Sequence, residues 1–155
     1  MKKIYFVLPL MLLIFTAKAQ LAMSLSMANQ QGISTATLDG MYKSGVHSNP
    51  DSAVFNESQN EYIKAYYSML QDINSYLNTN SFRWGGSTRC YNRIYFKEDG
   101  TIEYFIYDFE DGDISTERQD EFDQLLNEFI VDYKFPLSKD LKFSQCSPAN
   151  YRDVL

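Results

Sequence analysis

Hydrophobic positions along the chain fall into blocks of different period. Between Asn56 and Asn80, Tyr62, Tyr66, Met69, Leu70, Ile73, Tyr76 and Leu77 recur at three- and four-residue steps, the spacing of one helix face. This predicts an amphipathic helix of about twenty residues, opened by Asn56 and Gln59 as a cap pair and stopped at Asn78-Thr79-Asn80. Past Arg83-Trp84-Gly85-Gly86 the period shortens to about two. Tyr91 to Phe96 and Ile102 to Phe109 are dense in aromatic and β-branched residues, and Glu98-Asp99-Gly100 supplies the turn of a hairpin. Thr116 and Gln119 form a capping-box pattern before a second stripe of Phe122, Leu125, Leu126, Phe129, Ile130 and Tyr133, which Pro136 ends. A last short strand is expected at about Leu141 to Cys146.

The order helix, strand, strand, helix, strand predicts an α+β domain over residues 56–155. Its simplest form is a three-stranded antiparallel sheet with the two amphipathic helices packed on it. The hairpin is apolar on both faces, however. One face packs against the helices, and the other needs the N-terminal arm, a partner, or tolerance of exposed tyrosines. Residues 20–55 are poor in charge and rich in small and polar side chains, with only Leu21, Met23, Leu25 and Met27 alternating, and they are expected to form a flexible or loosely docked arm.

The first nineteen residues read as an export signal. Lys2 and Lys3 form a positive start, Ile4 to Phe15 an apolar run broken by Pro9, and Ala17-Lys18-Ala19 a small-x-small cleavage site. As a helix, Ile4 to Ala17 would reach about 21 Å, short of the roughly 30 Å hydrocarbon core, which favours cleavage over an uncleaved anchor. Cleavage removes Lys2, Lys3 and Lys18 and so moves the formal charge from −6 to −9. The expected location is periplasmic or secreted, with no integral membrane segment after cleavage. So acidic a chain, with no basic stripe, is not expected to bind nucleic acid.

Cys90 and Cys146 are the two cysteines, both in the exported part. An oxidising compartment favours a disulfide between them over two free thiols, closing a long loop and contributing on the order of 4 kcal/mol. Such a bridge would tie the start of the first strand to the end of the third.

Ile94-Tyr95-Phe96-Lys97-Glu98-Asp99-Gly100-Thr101-Ile102 and the later Lys134-Phe135-Pro136, together with the order of elements, make residues 58–147 resemble the C-terminal domain of TonB-type proteins. The resemblance implies recognition of a partner strand along an exposed sheet edge. Energy transduction is not implied, because the apolar run looks cleavable and Pro50 is the sole proline between residues 20 and 135.

Chemistry has little to stand on. His47, the single histidine, lies in a Gly/Ser/Asn-rich stretch that marks a solvated loop. Asp108, Glu110, Asp111 and Asp113 form the densest carboxylate cluster, but placing Gly112 at the glycine position of a calcium loop puts Tyr107, Phe109 and Arg118 where ligands belong. No cofactor, metal or catalytic group is therefore expected. The expected function is an exported cell-envelope adaptor that binds a protein partner through Leu141, Phe143 and Gln145 of the edge strand and the neighbouring Tyr91 and Tyr95. The alternatives are a structural subunit of an envelope assembly and a carboxylate-dependent secreted hydrolase.

Overall fold

A computed structural model describes residues 21–110 and 114–153. The alternating start of the chain forms strand β1 (Leu21–Ser24). The Ser24 side chain then accepts the Met27 N–H to cap helix α1 (Leu25–Gln30), and Ser34 accepts that of Thr37 to cap α2 (Thr35–Met41). A two-residue strand β2 (Lys43–Ser44) and a 3-10 turn (Pro50–Ser52) lead to α3 (Gln59–Thr79). Strands β3 (Thr88–Phe96) and β4 (Ile102–Phe109), helix α4 (Thr116–Asp132) and strand β5 (Phe143–Tyr151) complete the described chain.

The expected three-stranded antiparallel sheet is incorrect. Among the described residues there are four α-helices and one five-stranded mixed sheet in the order β1-β4-β3-β5-β2. The antiparallel β4, β3 and β5 form its centre, and β1 and β2 add in parallel at the two sides. Both added strands come from residues 21–55, and the cause is the two-faced hairpin. Ile94, Phe96, Phe105 and Tyr107 pack against Tyr66, Met69, Ile73, Phe122 and Leu126 of α3 and α4. On the other face Tyr95 and Ile106 pack with Met23, Ala28, Leu38 and Tyr42. The N-terminal segment thus covers apolar area that three strands and two helices leave in water.

Capping also differs from the sequence reading. Ser58 is the N-cap of α3 without a side-chain bond, while Asn56 accepts the Glu57 N–H at 2.9 Å. In α4 the cap is Ser115, which accepts the Arg118 N–H at 3.3 Å, one residue before the expected Thr116. Between β3 and β4, Gly100 has φ +86°, and a Cβ there would sit 2.5 Å from the Phe135 carbonyl oxygen. Only glycine suits both demands.

The outer edge of β1 is closed by a side chain. Asn127 of α4 accepts the Ala22 N–H at 2.9 Å and donates to the Ala22 carbonyl at 2.8 Å, standing in for a neighbouring strand. On the far side, β2 ends at Gly45, where a Cβ would collide with the Tyr62 ring. Val54 and Phe55 donate to the Ser44 and Gly45 carbonyls at 3.0 and 3.1 Å and so cover β2 in turn. Replacing Asn127 by Ala should cost about 1–2 kcal/mol in urea unfolding, because the buried Ala22 loses partners for both its backbone groups. Sedimentation should also show new self-association through the freed edge; unchanged stability would contradict the clamp.

Candidate functional site

Strand β5 is paired with β3 along its whole length, from Phe143 opposite Phe96 to Tyr151 opposite Thr88. Its other side meets β2 only at Phe143 and Ser144. There the Ser144 carbonyl accepts the Gly45 N–H at 2.8 Å and the Lys142 carbonyl that of Lys43 at 3.3 Å, so the peptide groups of the even-numbered residues point outward. Strand alternation carries this orientation on to Cys146, Pro148 and Asn150. Among the described residues no strand pairs with that stretch. Pro148 has no N–H, so the open row presents the N–H groups of Cys146 and Asn150 and the carbonyls of all three.

Helix α3 runs beside this edge in the same direction. The Tyr62 hydroxyl donates to the Ser144 carbonyl at 3.4 Å, the Tyr66 hydroxyl and Ser147 Oγ lie 2.6 Å apart, and Asn74 Nδ2 donates to the Arg152 carbonyl at 3.3 Å. Between helix and strand lies a groove of about 450 Å³, walled by Tyr67, Leu70 and Asn74 and by Ala149, Tyr151 and Arg152. Tyr67 is 61 % exposed despite its size. Beneath the groove the Cys90 thiol donates to Asn92 Oδ1 at 3.2 Å and Asn92 Nδ2 to the Tyr151 hydroxyl at 2.8 Å. Burial raises the Tyr66 and Tyr151 hydroxyls above their ordinary range, so both stay neutral. Trp84 stacks on Tyr151 with ring centroids 4.8 Å apart. Both Asp153 carboxylate oxygens accept backbone N–H groups, from Trp84 at 2.7 Å and Gly85 at 3.0 Å. The far end of β5 is thereby fixed.

On the second sheet face, the half near Cys146 lies beyond the cover of α1 and α2. Tyr91 is 38 % exposed, and the Arg93 guanidinium sits 4.7 Å from its ring centroid. A basin of about 380 Å³ is lined there by Arg89, Tyr91, Asp108, Glu110 and Pro148. The Arg89–Glu110 pair across it, at 3.2 Å, is well exposed and adds little stability. Groove and basin meet at Pro148.

Among the described residues, the one ion pair with a buried carboxylate stands apart from this surface and holds the N-terminal layer in place. A bulge between Tyr95 and Phe96 sets Tyr104 and Ile102 opposite them and leaves Glu103 as the extra residue. Glu103, 4 % exposed, accepts the Tyr42 hydroxyl at 2.6 Å and Lys142 Nζ at 2.8 Å. Burial alone would raise its carboxyl, but the bonds from Lys142 and Tyr42 and the Lys142 and Lys97 charges outweigh this and hold it below the usual range.

The residues expected to bind a partner separate in the structure. Tyr91 lies on the open face beside Cys146 and Pro148. Phe143 is fully buried in the helix-side core. Tyr95 is buried too, and its hydroxyl donates to Asp39 of α2 at 2.8 Å. Gln145 is half-buried and Leu141 exposed, just before β5 begins. The expected Cys90–Cys146 disulfide is absent and both thiols are free. Cys146 stands opposite Arg93 and Cys90 opposite Ala149, an odd offset that sends the side chains to opposite faces about 10 Å apart along the strands. His47 serves a turn, its Nδ1 accepting the Asn49 N–H at 3.0 Å. Asp108 and Glu110 line the basin, while Asp111 and Asp113, like the expected export signal, lie outside the described residues. Among the described residues no group of three or more His, Cys, Asp and Glu is placed to hold a metal ion, and no helix is long and apolar enough to cross a membrane.

Sequence reasoning missed the half of the edge beyond Cys146. The signal was Pro148 itself, since a proline inside a strand marks an edge position. Tyr67 falls off the core stripe of α3, which is the sign of a surface aromatic. No family model, no characterised protein and no solved structure matches this chain. The likeness to TonB-type C-terminal domains rests on the sequence pattern alone.

Two outcomes test this geometry. Burial pushes the Cys90 thiol up to about 12, so Ellman's reagent should titrate one thiol, Cys146, in the reduced native protein and both after unfolding. Two rapidly reacting thiols in the native state would contradict the placement. Because the Glu103 carboxyl is lowered by folding, its contribution is full above the ordinary value of about 4.3 and is lost as pH falls through its folded value. Lys142→Ala should cost roughly 2 kcal/mol at neutral pH and move the acid-unfolding midpoint to higher pH, read by circular dichroism.

Proposed function

We propose that the chain is an exported binding module of the cell envelope that recognises an extended segment of a protein partner by strand addition along the outer edge of β5. The observation that carries this reading is the open row of backbone groups at Cys146, Pro148 and Asn150 beside the α3 groove. The sheet's other edges are closed by Asn127 and by Val54 and Phe55. An unpaired edge costs a protein solubility unless it is used or blocked. Here one missing donor at Pro148 restrains open-ended pairing and leaves a short stretch for a partner. The resemblance to TonB-type C-terminal domains and the reading of the first nineteen residues as an export signal support the same assignment. No reaction is assigned to the chain. Cover of Tyr95 and Ile106 by α1 and α2 removes the main reason to invoke a permanent assembly over the second face.

Replacing Asn150 by Pro removes the second of the two outward donors while leaving the inward pairing of Ala149 and Tyr151 with β3 intact. Peptides selected by display on the wild-type protein should bind this variant about tenfold or more weakly, the equivalent of one to two hydrogen bonds, with the thermal midpoint little changed. Undiminished binding by the folded variant would end the strand-addition reading.

A further inference from the structure

We infer that the α3–β5 groove selects an extended segment carrying a carboxylate two residues from a bulky apolar side chain, the carboxylate going to Arg152 and the apolar group to Tyr67 and Leu70. The inference rests on the strand-addition reading and adds to it the chemistry of the ligand.

The groove is polarised along its length. At one end Tyr67 projects from α3, one turn beyond Ile63, which is also exposed, and Leu70 and Pro148 continue the apolar lining. At the other end the lining becomes Gln71, Asn74, Asn150 and Arg152. Arg152 is exposed and makes no ion pair among the described residues, in a chain of formal charge −6. Its neighbour Asp153 turns both carboxylate oxygens away to the Trp84 and Gly85 N–H groups. Arg152 is therefore a cation held at the mouth of a groove with its backbone fixed by Asn74 and its head unclaimed by any described residue. A guanidinium so placed is suited to a carboxylate, which it accepts in a two-pronged geometry.

Spacing sets the pattern. Tyr67 and Asn74 are seven residues apart on α3, about 10 Å, and Asn74 bonds the Arg152 carbonyl. An extended strand advances about 6.7 Å in two residues, and side chains two apart share a face. The reach of the Arg152 and ligand side chains makes up the remainder. A ligand running parallel to β5 presents the apolar residue first and one running antiparallel presents the acid first; both satisfy the groove.

The test uses acetylated, amidated seven-residue peptides with a Val and a Glu two positions apart, in both orders, on an otherwise Thr/Ser background. It adds their Gln and Lys counterparts and a Gln peptide with a free C-terminal carboxylate two residues from Val. Each is titrated into the full mature protein and followed by amide chemical shifts. The Glu peptides should perturb β5 and α3, bind at least tenfold more tightly than the Gln and Lys peptides, and weaken with added salt. Binding of the free-carboxylate peptide in place of the Glu peptides would assign the same site to a chain terminus. Arg152→Glu should reverse the preference toward the Lys peptides, with the thermal midpoint showing that the variant is folded. If Glu, Gln and Lys peptides all bind alike and Asn150→Pro abolishes all of them, the carboxylate inference fails and strand addition stands. If no peptide perturbs β5 or α3 at millimolar concentration, both fail.

Discussion

Strands β3 and β4 send Ile94, Phe96, Phe105 and Tyr107 to one side and Tyr95, Tyr104 and Ile106 to the other, so the hairpin at the centre of the sheet needs cover on both faces. Burial of large aromatic and aliphatic side chains is the dominant favourable term in folding, at roughly 25 cal/mol per Å². Exposing either face would forfeit much of it. Helices α3 and α4 take one face; residues 21–55 take the other and extend the sheet on both sides as they do so. The Glu103 bulge and its bonds to Tyr42 and Lys142 then fix that second layer from within.

The same constraint decides where the sheet stays open. The N-terminal segment is long enough to cover the Tyr95 end of the second face, but β2 pairs for only two residues before Gly45 crosses the Tyr62 ring. Beyond it β5 continues with its outward backbone unpaired by any described strand. The polar chain through Cys90, Asn92 and Tyr151, together with the Trp84–Tyr151 stack, holds that half of the strand rigid. A rigid, open strand beside a groove loses little ordering entropy when a partner strand docks, which is the physical basis for treating it as a recognition element.

How much of this was legible in the sequence can be followed residue by residue. The periods of Tyr62 to Leu77 and Phe122 to Tyr133 correspond to α3 and α4, because wide apolar stripes leave little freedom. The two-faced hairpin was legible too, including its need for a second cover. What failed was assigning the cover: Leu21, Met23 and Leu25 alternate over too few residues to separate a strand from a tail, and parallel pairing with a strand eighty residues away leaves no local trace. The cysteine pairing failed for a related reason. Register decides which face Cys146 occupies, and a shift of one residue moves it across the sheet. Strand β5 was expected only as far as Cys146, whereas it runs on to Tyr151 through Pro148, which marks the open edge.

Residue-resolved amide hydrogen exchange in the free monomer tests the open edge of β5 most directly. The account predicts fast exchange at Cys146 and Asn150, flanked by slow exchange at Gln145, Ser147, Ala149 and Tyr151, whose N–H groups face β3. Protection at Cys146 and Asn150 equal to that of their neighbours would mean that the edge is already paired, and would contradict the account.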